Sequence, residues 1–432
     1  MKFYSTNRQS PGVDFREATI QGQAPDKGLY FPAMVPAFEK EFIDNLKNLS
    51  RAEIAFRAIK PYAGSVIAEE DLYRICSETV DFEFPLVKVT DSISSLELFH
   101  GPTLAFKDVG ARFMSRCLGY FSRDNDKEVT VLVATSGDTG SAVAQGFLGV
   151  KGVNVVILYP SGKVSPIQEK QLTTCGQNIT ALEIQGTFDD CQAMVKQAFA
   201  DEELTNKLFL TSANSINVAR WLPQQFYYLF ALQQWNEKQP PVICVPSGNF
   251  GNICAGLIAY KAGMPAAHFI AGCNSNDVFY RYQQSGNYEP HAAVATISNA
   301  MDVGAPSNFV RLTELFNNNH AEINEAISSY SITDAETTQT MQRVYKDYNY
   351  LCDPHGAVAF LALERYLAQH QGSKGLFLET AHPCKFPDVV EKAVGFEPPV
   401  PESMAGLLQA EKKSVLLKAD YSLLKDFLSS KV

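Results

Sequence analysis

Lys107 lies in the stretch of the sequence whose residue types are best suited to chemistry. An alternating apolar run at 95–99 is followed by a Gly-Pro break and then by Lys107 among apolar neighbours. This order predicts a strand, a turn and a helix start, with Asp108 placed to cap or favour the helix N-terminus. A lysine in apolar surroundings loses solvation of its charged form, so its pKa falls and its amine becomes available for Schiff-base chemistry. Taken alone, the stretch equally allows a lysine that simply reaches solvent at a helix start.

A second polar segment lies between a predicted buried strand and a helix, and it is suited to a phosphate. It consists of Pro246, Ser247, Gly248, Asn249, Phe250, Gly251 and Asn252. The glycines allow successive backbone N–H groups to turn inward, and the dipole of the following helix favours negative charge. The segment matches neither the dinucleotide nor the P-loop glycine pattern, which disfavours both of those functions. A tight turn without a ligand stays open.

A third segment occupies an equivalent strand-to-helix junction. It consists of Thr135, Ser136, Gly137, Asp138, Thr139 and Gly140. Its hydroxyls and backbone amides suit a carboxylate, although Asp138 adds a negative charge that a pure anion site would avoid. Because Ser, Thr, Asp and Gly favour helix starts in any case, capping and turn formation is the competing interpretation.

Two further polar segments follow predicted strands. Ser215, Asn217 and Arg220 lie after one strand, and the Arg220 guanidinium is suited to hold an anion in a bidentate way or to form a surface ion pair. Thr380 follows the last strand, where its hydroxyl suits either a ligand or a satisfied turn. Ligands of open α/β sheets bind at the carboxyl ends of the strands. Several polar loops at such ends therefore indicate a ligand site more strongly than any one of them.

The elements that must position these loops are visible from about residue 128 onward. Apolar, β-rich runs alternate there with amphipathic helical windows, which predicts βαβ units and a parallel sheet covered on both faces. The alternation weakens between about 273 and 350. Residues 1 to about 90 lack it and predict a mainly helical lobe.

Composition excludes several function classes. The net charge of the 432 residues is −10, which argues against a nucleic-acid partner. The sequence contains no signal peptide and no run that approaches the roughly 18 apolar residues of a membrane span. We therefore expect a cytoplasmic protein that does not associate with a membrane. The nine cysteines occur singly, which favours reduced thiols. The seven histidines are scattered, and we expect no metal site.

Taken together, the segments resemble the threonine synthase family, pyridoxal-phosphate enzymes of the same broad fold group as tryptophan synthase β and cysteine synthase. Three motifs carry the resemblance in combination: Phe-His-Gly-Pro-Thr-Leu-Ala-Phe-Lys-Asp at 99–108, Ala-Thr-Ser-Gly-Asp-Thr-Gly at 134–140, and the segment at 246–252. Asp138 matters because cysteine synthases carry Asn there. The resemblance covers essentially the whole chain.

The resemblance implies an α/β fold of two open, mainly parallel sheet lobes with covering helices, plus the helical N-terminal lobe. It implies that Lys107 forms the Schiff base with pyridoxal 5'-phosphate, that Gly248 to Asn252 hold the cofactor phosphate, and that Thr380 faces the pyridine nitrogen. It also implies that Thr135 to Thr139 lie beside the substrate carboxylate. The residues implied near the substrate phosphate are Ser215, Asn217 and Arg220.

The implied reaction eliminates phosphate from O-phospho-L-homoserine and then adds water at the β-carbon, giving L-threonine and inorganic phosphate. Lys107 would move the protons as a general acid and base. The phosphate leaving group needs cationic or amide donors, for which Arg220, His100 and Lys163 are candidates. Two other interpretations stay open: a related phospho-lyase or threonine dehydratase that gives 2-oxobutyrate, and a non-catalytic homologue that kept the fold.

The sequence predicts three regions. Residues 1–92 form the N-terminal lobe, residues 93–398 form the catalytic α/β region with a smaller lobe at roughly 125–215, and residues 399–432 form a C-terminal helical segment. We expect no obligatory protein partner, and the resemblance to short microbial forms implies a monomer.

Overall fold

A computed structural model describes residues 1–123 and 128–430 of the chain. The strands in chain order are β1 (Phe3–Ser5), β2 (Tyr30–Pro32), β3 (Leu86–Lys88), β4 (Ile93–Glu97), β5 (Val129–Ala134), β6 (Val153–Pro160), β7 (Ile179–Gln185), β8 (Phe209–Thr211), β9 (Val242–Pro246), β10 (His268–Cys273), β11 (Ile327–Ser331), β12 (Gly375–Glu379) and β13 (Val415–Lys418).

Helices cover both faces of the sheets and are the main secondary structure of the N-terminal region. In chain order they are α1 (Phe15–Gln21), α2 (Lys40–Asp44), α3 (Arg51–Ala63), α4 (Glu69–Thr79), α5 (Lys107–Phe121), α6 (Asp138–Phe147), α7 (Pro166–Thr173), α8 (Phe188–Ala200), α9 (Glu202–Lys207), α10 (Val218–Trp221), α11 (Phe226–Gln234), α12 (Gly251–Lys261), α13 (Val278–Ser285), α14 (Phe309–Leu315), α15 (His320–Ala326), α16 (Asp334–Tyr348), α17 (Pro354–Gln369), α18 (Pro387–Val394), α19 (Ala405–Gln409) and α20 (Tyr421–Ser429).

The larger sheet has six strands in the order β11-β10-β9-β12-β4-β3. All neighbours are parallel except β3, which runs antiparallel to β4 at one edge. Every residue of β9 and β12 is buried, as expected for central strands covered by helices on both faces. The loops after β9, β12 and β4 therefore leave the sheet side by side at one edge.

The smaller sheet has five parallel strands in the order β13-β7-β6-β5-β8. Its first four strands along the chain lie between residues 129 and 211, inside the predicted smaller lobe. The predicted start of that lobe at residue 125 lies outside the described residues. The polar segments that follow β5 and β8 become neighbours, because these two strands pair in parallel.

The C-terminal segment at 399–432, for which the sequence predicts helical structure, contains helices and also one strand. Val415–Lys418 forms β13, which pairs in parallel with β7 at the edge of the smaller sheet, and α20 then packs on α8. The strand has only four residues, Val-Leu-Leu-Lys, which are too few to show an alternation of apolar and polar side chains, and these side chains are largely exposed. Long-range pairing with β7 decides its conformation.

Two other elements differ from the sequence-based expectation. One of the helical windows, from about 218 to 235, is interrupted by a 3₁₀ turn at Leu222–Gln225, since Pro223 cannot donate a backbone hydrogen bond. β11 was not predicted, because its Ile-Ser-Ser-Tyr-Ser sequence is polar for a strand. It lies at the sheet edge, where only β10 is its neighbour.

The N-terminal region shares the main core of the protein. Phe3 and Ile54 belong to the same buried cluster as Val131 of the smaller sheet and Ile243 of the larger one. The strand β3 also lies before the predicted boundary at residue 92 while pairing with β4. The three-region division stays a prediction, and the core is continuous across its first boundary.

No helix in the two described ranges is long and apolar enough to cross a bilayer. Within the same residues, no group of three or more His, Cys, Asp or Glu side chains is arranged to hold a metal ion. All nine cysteines have free thiols, and all but Cys175 are buried.

Candidate active site

Lys107 is positioned by the pairing of the neighbouring strands β4 and β12. The loop after β4 folds against the segment after β12, where the backbone N–H of Phe106 donates to Thr380 O at 2.9 Å and that of His382 donates to Leu104 O at 3.0 Å. α5 then begins at Lys107 itself. The predicted strand, turn and helix start are confirmed, and Lys107 and Thr380 are brought to the same place.

The surroundings of Lys107 favour its neutral amine. Burial lowers the pKa of Lys107; attraction to Asp138 opposes this, and repulsion by Lys385 and Arg220 lowers the pKa further. The Phe106 ring lies 5.7 Å from the Lys107 Nζ atom. The amine is therefore partly enclosed among charges rather than exposed at a helix start, and a lowered pKa suits both a nucleophile and a proton carrier.

Asp108 lies in the first turn of α5, where an acidic residue was expected to favour the helix N-terminus, but its side chain does not cap the helix. Its carboxylate turns back to the preceding loop, where it accepts hydrogen bonds from Thr103 N at 2.9 Å and from Thr103 Oγ1 at 2.5 Å. The carboxylate thus fixes the turn between β4 and α5. Burial raises the pKa of Asp108, and the Thr103 hydrogen bonds oppose this shift.

A buried ion pair connects the two sheet lobes beside Lys107. Lys385 Nζ lies 2.6 Å from Asp138 Oδ1, and both side chains are almost fully buried. Gln168 Nε2 donates to the same oxygen at 2.8 Å, while Lys385 also donates to Thr103 O at 2.7 Å. Burial alone would raise the pKa of Asp138, but Lys385 and Lys107 outweigh it and hold the pKa well below its usual value. Asp138 is therefore an ionised carboxylate that holds the cleft together.

The rest of the segment at 135–139 is organised by Thr135. The Thr135 hydroxyl accepts hydrogen bonds from Gly137 N at 3.0 Å and Gly140 N at 2.8 Å, which commits it to the turn. Gly137 has φ 141°, a conformation that L side chains rarely adopt, and a Cβ there would lie 2.4 Å from Gln168. Ser136 is exposed and Thr139 is half-buried. Both can face a ligand, whereas Thr135 shapes the loop.

The segment at 248–252 is suited to hold a phosphate. Phe250 adopts a left-handed conformation with φ 60°, and α12 begins at Gly251 without a side-chain cap, so the N–H groups of its first turn remain available. Gly248 is required by space, because a Cβ there would lie 2.6 Å from Met301 Cα. The buried Asn252 Nδ2 has no hydrogen-bond partner. An uncapped helix start and an unpartnered donor fit an anionic group.

Two adjacent tyrosines link this loop to Lys107. The Tyr227 hydroxyl donates to the backbone oxygen of Phe106, the residue before Lys107. The Tyr228 hydroxyl donates to Asn252 O at 2.9 Å and lies 2.8 Å from Asn252 Oδ1. Neither tyrosine is predicted from the sequence as a site residue, since the run that contains them in α11 is typical of an apolar core. Because both tyrosines lie on one helix, they connect the Lys107 turn to the loop at 248–252.

The structure divides the three residues predicted near the substrate phosphate. Ser215 lies instead against the loop at 248–252, where its hydroxyl accepts from Asn249 Nδ2 at 2.9 Å. Asn217 caps α10 and donates to Thr19 O at 2.8 Å and to Ser212 O at 3.3 Å, so the protein itself uses its amide groups. This leaves Asn217 without a free group for a substrate.

Arg220 keeps the properties of an anion-binding residue. Its side chain is buried, it forms no ion pair within the described part of the chain, and its Nε atom has no hydrogen-bond partner. Only Nη1 is seen to donate, to Ala213 O. Burial lowers the pKa of Arg220 to about 10, still well above neutrality. A buried, charged guanidinium near Lys107 with a free donor is expected to face an anion.

The other candidate cations differ in position. His100 pairs with Glu97 Oε2 at 2.7 Å and is partly exposed, and Lys163 is exposed on the loop after β6. Lys385, which was not among the predicted site residues, is the buried cation beside Asp138. Its position shortly after Thr380, in the segment that follows β12, is the feature of the sequence that could have indicated it.

A pair of buried carboxylates fixes the segment that contains Thr380. Asp353 N donates to Glu379 Oε1 at 2.6 Å, and Ala381 N donates to Asp353 Oδ2 at 3.2 Å. Burial and the neighbouring Asp353 raise the pKa of Glu379 well above its usual value. The carboxyl of Glu379 therefore resists ionisation, and Asp353 holds the side chain of the residue before Thr380 and the backbone of the residue after it.

Family models match almost the whole chain. A model described as a pyridoxal-phosphate dependent enzyme matches residues 95–378. Models described as the N terminus and the C-terminal part of threonine synthase match residues 2–80 and 356–428.

Curated relatives match over the full length. The chain is 44% identical to the threonine synthase of Serratia marcescens over 430 residues, 99% of each chain, and 43% identical to that of Escherichia coli with the same coverage. The chain belongs to the threonine synthase family. The crystal structure of the Escherichia coli threonine synthase superimposes with a TM-score of 0.92 at 42% identity, with complete coverage of both chains.

The wider fold group is also confirmed. Maize serine racemase, at 16% identity, covers 81% of this chain and 94% of its own with a TM-score of 0.54, which supports the common fold alone. A crystal structure of pyridoxal-phosphate-bound threonine synthase from Brucella melitensis covers 100% of this chain and 99% of its own with a TM-score of 0.92 at 35% identity. The cofactor of the family is pyridoxal phosphate, and the lysine, the uncapped helix start and the Asn252 donor described above fit it.

The Lys385–Asp138 pair gives a test of the site's electrostatics. Replacing Lys385 by Met leaves a buried carboxylate without its cation, which should lower the free energy of unfolding by about 3–5 kcal/mol at neutral pH. In the unmodified protein, the lowered pKa of Asp138 stabilises the folded state at pH values above 3.8, the usual pKa of the group. This stabilisation is lost as the pH falls through the lowered pKa. The cost of K385M should therefore shrink on acidification, because a protonated Asp138 needs no cation. Urea unfolding at several pH values measures it.

The matched control is K412M, which removes a partly exposed lysine that pairs with Glu169 and Glu183. We expect it to change stability by no more than about 1 kcal/mol. A cost of K385M that does not depend on pH, or that persists in the K385M/D138N double variant, would contradict the assigned pairing.

Proposed function

We propose that the cleft between the two sheet lobes converts O-phospho-L-homoserine and water into L-threonine and inorganic phosphate. The observation that carries this proposal is the grouping of a lysine of lowered pKa, an uncapped helix start and a buried, unpaired arginine at the ends of neighbouring strands. Membership of the threonine synthase family supports the same reaction. The enzyme is then a carbon-oxygen lyase acting on a phosphate ester.

In this proposal, the residues of the chain hold and orient two anionic molecules. The N–H groups at the start of α12, together with Gly248 to Asn252, hold the cofactor phosphate, and the Thr380 hydroxyl faces the pyridine nitrogen. When bound, pyridoxal phosphate supplies an electron-withdrawing ring that stabilises negative charge on substrate carbon. Residues 136–139 receive the substrate carboxylate through backbone amides and hydroxyls. Lys385 neutralises the charge that Asp138 would otherwise present to that carboxylate.

Lys107 moves the protons of the reaction. Its Nζ atom takes protons from the α- and β-carbon positions of the substrate in turn and returns them later, for which a lowered pKa is suited. The position of Asp138 limits how far the pKa of Lys107 falls. Arg220 donates hydrogen bonds to the leaving phosphate, where its charge stabilises the developing negative charge. Its unpartnered Nε donor supports this role.

The proposal includes a cytoplasmic monomer. Nine free cysteines are expected of a protein kept in a reducing compartment. The groups assigned above all come from one chain, so the site requires no residue from a partner.

The product assay tests the proposed reaction. We expect threonine and inorganic phosphate to form in equal amounts from O-phospho-L-homoserine, and the K107A variant to lose at least about a thousandfold in rate, because it lacks the proton carrier and nucleophile. K374A, a surface lysine paired with Glu237, serves as the control and should retain full activity. Formation of 2-oxobutyrate without threonine would contradict the proposal in favour of a phospho-lyase.

Arg220 gives a separate prediction. We expect R220M to lower kcat/KM for O-phospho-L-homoserine about 100- to 1000-fold, since one donor to the departing charge is removed, while R220K recovers part of the loss. The visible absorption of the bound cofactor should stay unchanged. R365M, which affects a partly exposed pair with Glu336, is the control. A changed cofactor spectrum in R220M would instead place Arg220 at the cofactor.

A further inference from the structure

Arg311 is a fully buried arginine on α14 that has no acidic partner among residues 1–123 and 128–430. The four hydrogen bonds of its Nη atoms all go to uncharged oxygens: Ser215 O at 2.9 Å, Asn308 Oδ1 at 2.9 Å, Tyr30 O at 3.0 Å and Ile216 O at 2.5 Å. Its guanidinium also lies over the Trp221 ring, 4.2 Å from the centroid. These contacts pair its Nη groups, leave the buried Nε without a hydrogen-bond partner, and do not neutralise its charge.

Burying such a charge is costly. Neutral oxygens stabilise a guanidinium in part, but an isolated ion in a protein interior normally has a counter-ion. No Asp or Glu forms an ion pair with Arg311 anywhere in the described residues, and burial lowers its pKa to about 9, opposed slightly by Cys254. At neutral pH the side chain is therefore still charged. An anion close to it would offset part of the cost.

A short chain of hydrogen bonds runs from Arg311 to the loop at 248–252. Asn308 accepts from Arg311 through Oδ1 and donates through Nδ2 to Ser215 Oγ at 3.1 Å and to Asn249 O at 3.1 Å. Asn249 Nδ2 donates to the same Ser215 oxygen at 2.9 Å.

The Ser215 hydroxyl is the end of this chain. Its oxygen accepts two hydrogen bonds, and no acceptor for its own hydrogen is found in the described part of the chain. A Cβ on Gly251, the first residue of α12, would lie 3.7 Å from this oxygen. Hydrogen bonds in a chain polarise one another, so a cation at one end strengthens the donor at the other. The free Ser215 hydrogen is thus a strengthened donor at the start of α12.

We propose that Arg311 is a positioning residue whose charge complements the cofactor phosphate through Asn308 and Ser215. Arg311 does not touch the phosphate; it orients Asn308 and fixes the Ser215 backbone, while its charge favours a dianion at the loop. The inference rests on the proposed assignment of residues 248–252 to that phosphate. It also gives Ser215 a role at the cofactor rather than at the substrate.

The test compares two ligands that differ only in the phosphate. Pyridoxal 5'-phosphate and pyridoxal are titrated separately into the full-length protein freed of cofactor, and binding is followed by visible absorption. In the R311M variant, affinity for pyridoxal phosphate should fall about 10- to 100-fold, by analogy with the loss found when the hydrogen-bond partners of metal ligands are removed. Affinity for pyridoxal should change much less. The ratio of the two affinities isolates the phosphate, and a merely structural loss would lower both equally.

The control and a second variant keep the test decisive. R343M removes a partly exposed arginine that pairs with Glu364 and should leave the ratio unchanged. N308D places a carboxylate against the Arg311 guanidinium, so that the charge of Arg311 is neutralised within the protein. We expect this variant to lower the ratio of the affinity for pyridoxal phosphate to that for pyridoxal by at least about tenfold, even if R311M fails to fold.

The outcomes separate the inference from the proposed function. An unchanged ratio in N308D, or in a folded R311M, would overturn the role of Arg311. If the unmodified protein itself binds the two ligands equally well, the assignment of the loop to the phosphate fails instead, and the inference fails with it.

Discussion

The burial of positive charge is the constraint on which this site depends. Lys107, Lys385, Arg220 and Arg311 all lie in or beside the cleft, although the chain as a whole carries a net charge of −10. Only Lys385 forms an ion pair within the described residues, with Asp138. Desolvating cations without counter-ions costs free energy, and the binding of anions recovers it. A phosphorylated cofactor and a phosphorylated substrate with a carboxylate supply such anions.

The position of these charges follows from the topology. Strands β9, β12 and β4 are neighbours in one parallel sheet, and β5 and β8 are neighbours in the other, so five polar loops converge from two sheet edges. The Asp138–Lys385 pair joins the two edges, and Tyr227 and Tyr228 of α11 join the Lys107 turn to the start of α12. Each contact fixes a loop whose own sequence would leave it adjustable. Rigid placement of this kind lets a few polar groups act together on one substrate.

The sequence predicted what is local and missed what is long-range. Apart from the short β8, the strands of both sheets between 129 and 273 are largely buried apolar runs bounded by turn residues, and the Lys107 junction has its own Gly-Pro signal. β13 and β11 are short or polar edge strands, which form because a partner strand is present. Lys385 and Arg311 carry no local motif: each acquires its meaning from residues more than 90 positions away, at Thr103 and at Ser215. Ser215 and Asn217 are close in sequence and were predicted to act together, whereas Ser215 contacts the loop at 248–252 and Asn217 caps α10.

The most direct measurement locates the covalent bond between cofactor and protein. Borohydride reduction of the cofactor-bound protein, followed by proteolysis and mass spectrometry of the peptides, identifies the lysine that carries the pyridoxyl group. The modification should lie on Lys107 alone, since its amine has the lowered pKa and lies beside Thr380 and the phosphate loop. A pyridoxyl group on Lys385 or Lys163, or no stable adduct at saturating cofactor, would contradict the central role of Lys107.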